Sequence, residues 1–207
     1  MVTLVTDAAT VAHVDGRSAE ETLAERLAVD LDGHFEEVVV AFQDRLYAFA
    51  LRMTGSAEDA EEIAQDAFIR AYRALATYPP ERIRALAPRP WLYQIAVNVT
   101  RNRVRGKRPR LVPLDAPEAA ALEPADRERD RPEAVVGRAE EDAELAALVA
   151  SLPGRYRAAV VLRHVVGLSY EEVADVLEQP VGTVKSNAHR GIGLLRMALV
   201  TRPAEVD

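Results

Sequence analysis

Six polar side chains crowd one short stretch near the end of the chain: Thr183, Lys185, Ser186, Asn187, His189 and Arg190. Hydroxyls, an amide, an imidazole and two cations are the groups that hydrogen-bond base edges and neutralise phosphates in a DNA major groove. Between them Val181, Val184, Ala188, Ile192 and Leu195 recur at steps of three and four, so a helix here packs one face and offers the other to a ligand. A second concentration lies at residues 98–110, where six cations and no acid accompany Asn98 and Asn102. Arg101, Arg103 and Arg105 present guanidiniums beside these amides, and cations this dense repel one another unless an anion is near. A third lies on the helix predicted over Ser56–Leu75. Opposite its apolar stripe of Ile63, Ala67, Ala71 and Leu75 it carries Asp59, Glu62, Gln65, Asp66, Ile69, Arg70 and Arg73. That acidic rim around an aliphatic group could dock a basic partner helix, although composition alone reads more readily as solvated helix charge.

These groups need scaffolds, and the sequence predicts helices for all three. Ser169 and Glu172 form a capping box that starts one short helix, with Val173, Ala174 and Leu177 as its stripe, and Glu178-Gln179-Pro180 stops it. The helix from Val181 to Leu195 follows at once, which is the arrangement of a helix-turn-helix. The same spacing fits an ordinary helical hairpin with solvated polar residues, so the rest of the chain has to decide. Upstream, Phe35 to Met53 forms a broad apolar face ending near Gly55, and Ser56 caps the next helix. A proline-bearing interruption over Tyr78–Pro90 precedes an amphipathic helix from Trp91 to Arg105. Trp91 reads as core beside Leu92 and Ile95 rather than as a platform for a base.

With no β alternation or repeat in 207 residues, the expected fold is all-α, with two small helical domains joined by an irregular linker. The expected limits are an acidic N-terminal extension over 1–33, a first domain over 34–105, a linker over 106–134 containing five prolines, a helix-turn-helix domain over 135–200 and a tail over 201–207. The extension shows only a weak helical pattern around Thr22–Val29 and receives no function. The chain has no cysteine, and His13, His34, His164 and His189 lie far apart in sequence, so neither disulfide, metal site nor cofactor is expected. No apolar run reaches bilayer length and the start lacks a signal-peptide pattern, which points to a cytoplasmic protein without membrane contact. No phosphate loop or catalytic constellation can be placed, so an enzyme is not expected. The net charge of −7 does not oppose DNA binding, which responds to local charge.

GSAEDAEEIAQDAFIRAYRAL and RPWLYQIAVNVTRNRVRGKR, followed by LPGRYRAAVVLRHVVGLSYEEVADVLEQPVGTVKSNAHRGIGLLR, together resemble a bacterial RNA polymerase sigma factor of the extracytoplasmic-function type, in the sigma-70 family. The resemblance covers about residues 35–110 and 140–198. It implies a region 2-like and a region 4-like domain in a factor that binds core RNA polymerase and directs promoter-specific initiation. Asp59, Glu62, Gln65, Asp66 and Arg70 would meet the clamp helices of the largest subunit, which reverses the solvated-charge reading of that face. Asn98 would lie near the pocket for a flipped base of the −10 element, with Arg101, Asn102, Arg103 and Arg105 on the adjoining DNA face. Thr183, Lys185, Ser186, Asn187, His189 and Arg190 would belong to the helix that reads the −35 element. The linker would thread across the polymerase, and an anti-sigma factor is implied as a further partner. Asn187 stands where the family commonly has arginine, and Tyr78–Pro90 is richer in proline than the usual connector. The rival readings are an autonomous helix-turn-helix regulator and a protein-only helical adaptor.

Overall fold

The computed structural model describes residues 8–107 and 145–200, with side chains over 19–104 and 145–200. The linker expected at 106–134 beyond its first two residues, the side chain of Arg105 and the tail over 201–207 lie outside the described residues. Every described element is helical. The first unit comprises α1 (Ala8–Val29), α2 (Leu31–Thr54), α3 (Ala57–Leu75), α4 (Pro80–Arg84) and α5 (Pro88–Lys107). The second comprises α6, described over 145–151, then α7 (Gly154–Val160), which runs on into a π-helical turn at Val161–Val165, α8 (Tyr170–Leu177) and α9 (Val181–Val200).

Local chemistry sets the helix ends that matter for function. Gly55 closes α2 in the left-handed region at φ 74, where the lack of a Cβ removes the strain, and its N–H donates to Leu51 O at 2.7 Å. Ser56 Oγ then accepts from the Asp59 N–H at 3.3 Å and starts α3. Ser169 Oγ accepts from Glu172 N at 3.1 Å while Glu172 Oε2 accepts from Ser169 N at 2.7 Å, so the predicted capping box forms at the start of α8. Glu178 leaves α8 with φ 56 and Pro180 precedes α9, producing the abrupt turn of a helix-turn-helix.

The interruption expected over Tyr78–Pro90 contains a helix. Its prolines do not break structure because Pro80 and Pro88 open α4 and α5, where the missing N–H would have had no helical partner. Ile83 of α4 is buried, and α1 packs across it. In α1, Leu23, Ala24 and Leu27 are buried and Glu25 pairs with Arg84 at 3.2 Å. The last turns of α1 therefore belong to the first unit, and the limit placed at residue 33 from acidic composition cuts through packed structure. Three apolar contacts among many acids gave only a faint helical period.

The apolar faces of α2, α3 and α5 make the centre of the first unit. Phe49 meets Tyr93 edge-on at 5.3 Å between ring centroids, and burial pushes the Tyr93 phenol up to about 12. Val149, Leu152, Val160, Val161, Leu162, Val173, Leu177, Val184 and Leu195 form the centre of the second. The two centres join in one apolar cluster. Arg157 crosses the junction: Nη1 donates to Met53 O at 2.5 Å and Nη2 to Leu152 O at 2.9 Å. Its burial lowers the guanidinium's affinity for its proton from the usual arginine range.

Candidate functional site

Three surfaces gather the chemistry, and the structure sorts the expected residues differently on each. On α3, Glu62, Gln65 and Arg70 are exposed, Asp66 is half-buried, and Ile69 stands 49% exposed among them. Asp66 and Arg70, one helical turn apart, pair at 2.9 Å. Asp59 is placed otherwise, being only 8% exposed. Its Oδ1 accepts from Arg103 Nε on α5 at 2.6 Å, and Arg103 Nη1 also meets Glu62. The hydrogen bond that Arg103 donates to Asp59, and after it the one to Glu62, raises the arginine's proton affinity against a desolvation cost. Asp59 thus fastens α3 to α5, and Arg103, expected on the DNA face, is committed to this carboxylate pair. A groove of about 360 Å³ between the helices is lined by Glu62, Ile63, Asp66, Arg70, Val99, Asn102 and Arg103.

On α5, Asn98, Arg101 and Asn102 are exposed, and their spacing of three and four places them on one face. Behind them Val97 and Val99 are buried, and Thr100 is held by a hydrogen bond from its Oγ1 to Ala96 O at 2.8 Å. Trp91 is half-buried, 6.2 Å edge-on from Tyr78, as the core reading expected. Arg82 Cζ also lies over the Tyr78 ring, 3.6 Å from its centroid. The second unit rests against part of α5: Arg101 Nη2 donates to Leu177 O at 3.4 Å, Gln94 Nε2 to Glu178 Oε1 at 3.5 Å, and Arg89 to Val166 O.

On α9, Thr183, Lys185, Ser186, His189 and Arg190 are exposed, whereas Asn187 is 8% exposed and turns inward with Val184, Ala188, Gly191 and Leu195. The expectation that Asn187 shares the reading face is corrected here. With 100° of rotation per residue, position 187 falls three after 184 and four before 191, on the packed stripe. Two tyrosines absent from the sequence reading flank the outward face. Tyr170 holds Lys185 Nζ at 5.5 Å and Arg163 Cζ at 4.9 Å from its ring centroid. Tyr156 lies beside Arg190 and accepts from Arg155 Nη2 at 3.1 Å. Neither tyrosine falls within the polar run that marked α9; Tyr156, between Arg155 and Arg157, carried a local signal, and Tyr170, between Ser169 and Glu171, carried none.

Among the described residues no group of three or more His, Asp or Glu is arranged to hold a metal ion, and no described helix is long and apolar enough to cross a membrane.

Comparison with known proteins matches this division. Residues 38–110 match sigma-70 region 2 and residues 142–195 match sigma-70 region 4. The ECF RNA polymerase sigma factor SigW of Bacillus subtilis is 36% identical over 171 residues, covering 80% of this chain and 88% of that protein. The ECF RNA polymerase sigma-E factor of Escherichia coli is 35% identical over 175 residues, covering 83% and 89%. SigE of Mycolicibacterium smegmatis is 37% identical over 171 residues, and this chain spans 63% of its length. The same fold occurs in CnrH, solved with the cytosolic domain of CnrY, at a TM-score of 0.65 and 23% identity over 89% of this chain and 99% of that one. It also occurs in RpoE of Bartonella quintana, solved with the anti-sigma factor NepR, at a TM-score of 0.58 and 19% identity over 82% and 98%. With both regions matched in order, and with relatives of one kind covering more than three quarters of the chain, this protein belongs to the sigma-70 family, in its extracytoplasmic-function group.

Proposed function

We propose that this chain is an initiation factor that makes and breaks no bond itself but places core RNA polymerase on promoters in the cytoplasm. The exposed part of α3, with Glu62, Gln65, Asp66 and Arg70 around Ile69, docks on the clamp helices of the largest subunit. Asn98, Arg101 and Asn102 on α5 receive the −10 element, including an extruded base whose unstacking costs a few kcal/mol that the surrounding contacts offset. Thr183, Lys185, Ser186, His189 and Arg190 read the −35 element from the major groove. Asp59, Arg103 and Asn187 support these faces from behind.

The observation that carries this reading is the presence of two separate donor-rich faces, on α5 of the first unit and α9 of the second. Elements centred 25 base pairs apart lie roughly 85 Å apart at 3.4 Å per base pair. The two units touch in this structure, so simultaneous engagement requires them to part. The polar contacts that cover α5 from Leu177 and Glu178 are long, at 3.4 and 3.5 Å, and weak for that reason. Residues 108–144 can reach roughly 120 Å when extended. Polymerase, by binding the separated form, shifts the population toward it. RpoE of Bartonella quintana was solved with the anti-sigma factor NepR, which supports an anti-sigma partner here as well.

Transcription by purified core polymerase plus this chain, with start sites mapped across genomic fragments, tests the proposal. Starts sharing a −10 and a −35 sequence are expected, and Asp66→Arg is expected to lower affinity for core at least tenfold while the thermal transition stays in place. Tight sequence-specific binding to DNA by the chain alone, or no transcript from any fragment, would overturn it.

A further inference from the structure

The reading helix is flanked on both sides by tyrosine-centred groups of cations. With the packed stripe of Val184, Asn187, Ala188, Gly191 and Leu195 at the back of α9, helical rotation puts Lys185 on one flank and Thr183 and Arg190 on the other. Lys185 and Arg163 share the ring of Tyr170. On the opposite flank Arg155 Nη2 donates to the Tyr156 hydroxyl at 3.1 Å and its Cζ lies 4.7 Å from the ring centroid; Arg155 first, and Arg190 beside it, lower the phenol's proton affinity from its usual range. The backbone fixes this second group. A Cβ on Gly191 would lie 2.5 Å from Val160 Cγ2 and 3.3 Å from Tyr156 Cβ, so α7 and α9 meet at backbone distance one residue beyond Arg190.

A helix with its side chains is about 10–12 Å across and the major groove about 12 Å wide, so the flanks of a seated helix face the two sugar-phosphate backbones. A guanidinium carries five N–H donors in a planar fork that matches phosphate oxygens and binds them bidentately. We propose that Arg155, held by the Tyr156 hydroxyl on the flank of α9 that carries Arg190, binds a backbone phosphodiester of the strand bordering the groove that α9 reads. This contact lies on α7, outside the helix-turn-helix, and it rests on the assignment of α9 to the −35 element. Arg155 carries no sequence information there; it sets how firmly and in which register α9 is seated.

The test uses the full chain assembled with core polymerase and a promoter fragment that this holoenzyme selects from a random pool. Arg155→Gln is expected to weaken binding three- to tenfold on every −35 sequence alike and to reduce the slope of log affinity against log salt by about one. A single methylphosphonate in the fragment is expected to weaken the wild type by a similar factor and to leave Arg155→Gln unaffected. Tyr156→Phe, which keeps the ring packing and removes the hydroxyl that accepts from Arg155, is expected to give a smaller loss of the same kind with no change in thermal transition. Wild-type affinity and salt slope in Arg155→Gln would overturn the contact. So would weaker assembly with core polymerase at an unchanged salt slope, because Arg155 would then bind an acidic protein segment. If instead Ser186→Ala and His189→Ala, on the side of α9 opposite its packed stripe, together leave −35 preference untouched, the assignment of α9 itself fails.

Discussion

The α3/α5 surface and the α9 surface are both rich in charge, yet they are built in opposite ways. Between α3 and α5 the charged groups hold one another: Arg103 bridges Asp59 and Glu62, and Arg70 is paired with Asp66. On α9 the outward groups Thr183, Ser186 and His189 stand exposed, Lys185 and Arg190 lean on tyrosines from neighbouring helices, and the helix is clamped from behind by apolar packing. The first design fixes a groove of mixed charge whose shape depends on ion pairs. The second leaves hydrogen-bonding groups available and relies on the core for position. The proposed roles of the two faces, docking a protein and reading bases, call for this difference, because a partner helix rewards a preset relief while base edges must be reached by side chains that protrude.

The contrast can be broken first at the backbone clamp of α9. Gly191→Leu is expected to cost about 3 kcal/mol, the upper part of the overpacking range, since even a Cβ meets Val160; calorimetry of the second unit's transition checks this. At the reading face, Lys185→Ala and Arg190→Ala are expected to lose about 1–3 kcal/mol of promoter affinity, dependent on −35 sequence where a base contact is lost; competition between promoter variants measures it, and equal loss on all sequences would mean phosphate contact alone. In the first unit, Arg103→Ala is expected to lower stability by about 1–2 kcal/mol because the nearly enclosed Asp59 carboxylate loses its guanidinium. Arg101→Ala, two residues away, should instead weaken −10 binding and leave the melting transition alone; the reverse pattern would exchange their roles. The smallest effect is expected from Asn187→Ala, which should leave the ratio of affinities for matched and altered −35 sequences unchanged.

Helix positions were largely legible because caps and apolar periods are local signals. Gly55, Ser56 and Ser169 mark ends that the structure reproduces. α4 was not legible, because prolines signal a break unless one knows that they stand at helix starts. α1 was faint because Leu23, Ala24 and Leu27 are separated by acids and find their partners on α2 and α4. For the candidate site, type and spacing located all three surfaces but could not say which charged residues face outward. Asp59 and Arg103 lie 44 positions apart, and nothing in either segment announces that they pair.

By itself the sequence determined an all-helical chain, the capped starts of its helices, the donor-rich runs on α5 and α9, and the family whose two regions it carries. These follow from periods of three and four residues and from groups whose chemistry does not depend on distant neighbours. Only the tertiary structure decided that Asn187 is packed, that Asp59 and Arg103 join two helices, and that Tyr156 and Tyr170 gather cations beside α9. The physical reason is that burial and pairing are properties of facing surfaces. Residues such as Tyr156 and Arg190 become neighbours only when α7 and α9 close on one another at Gly191.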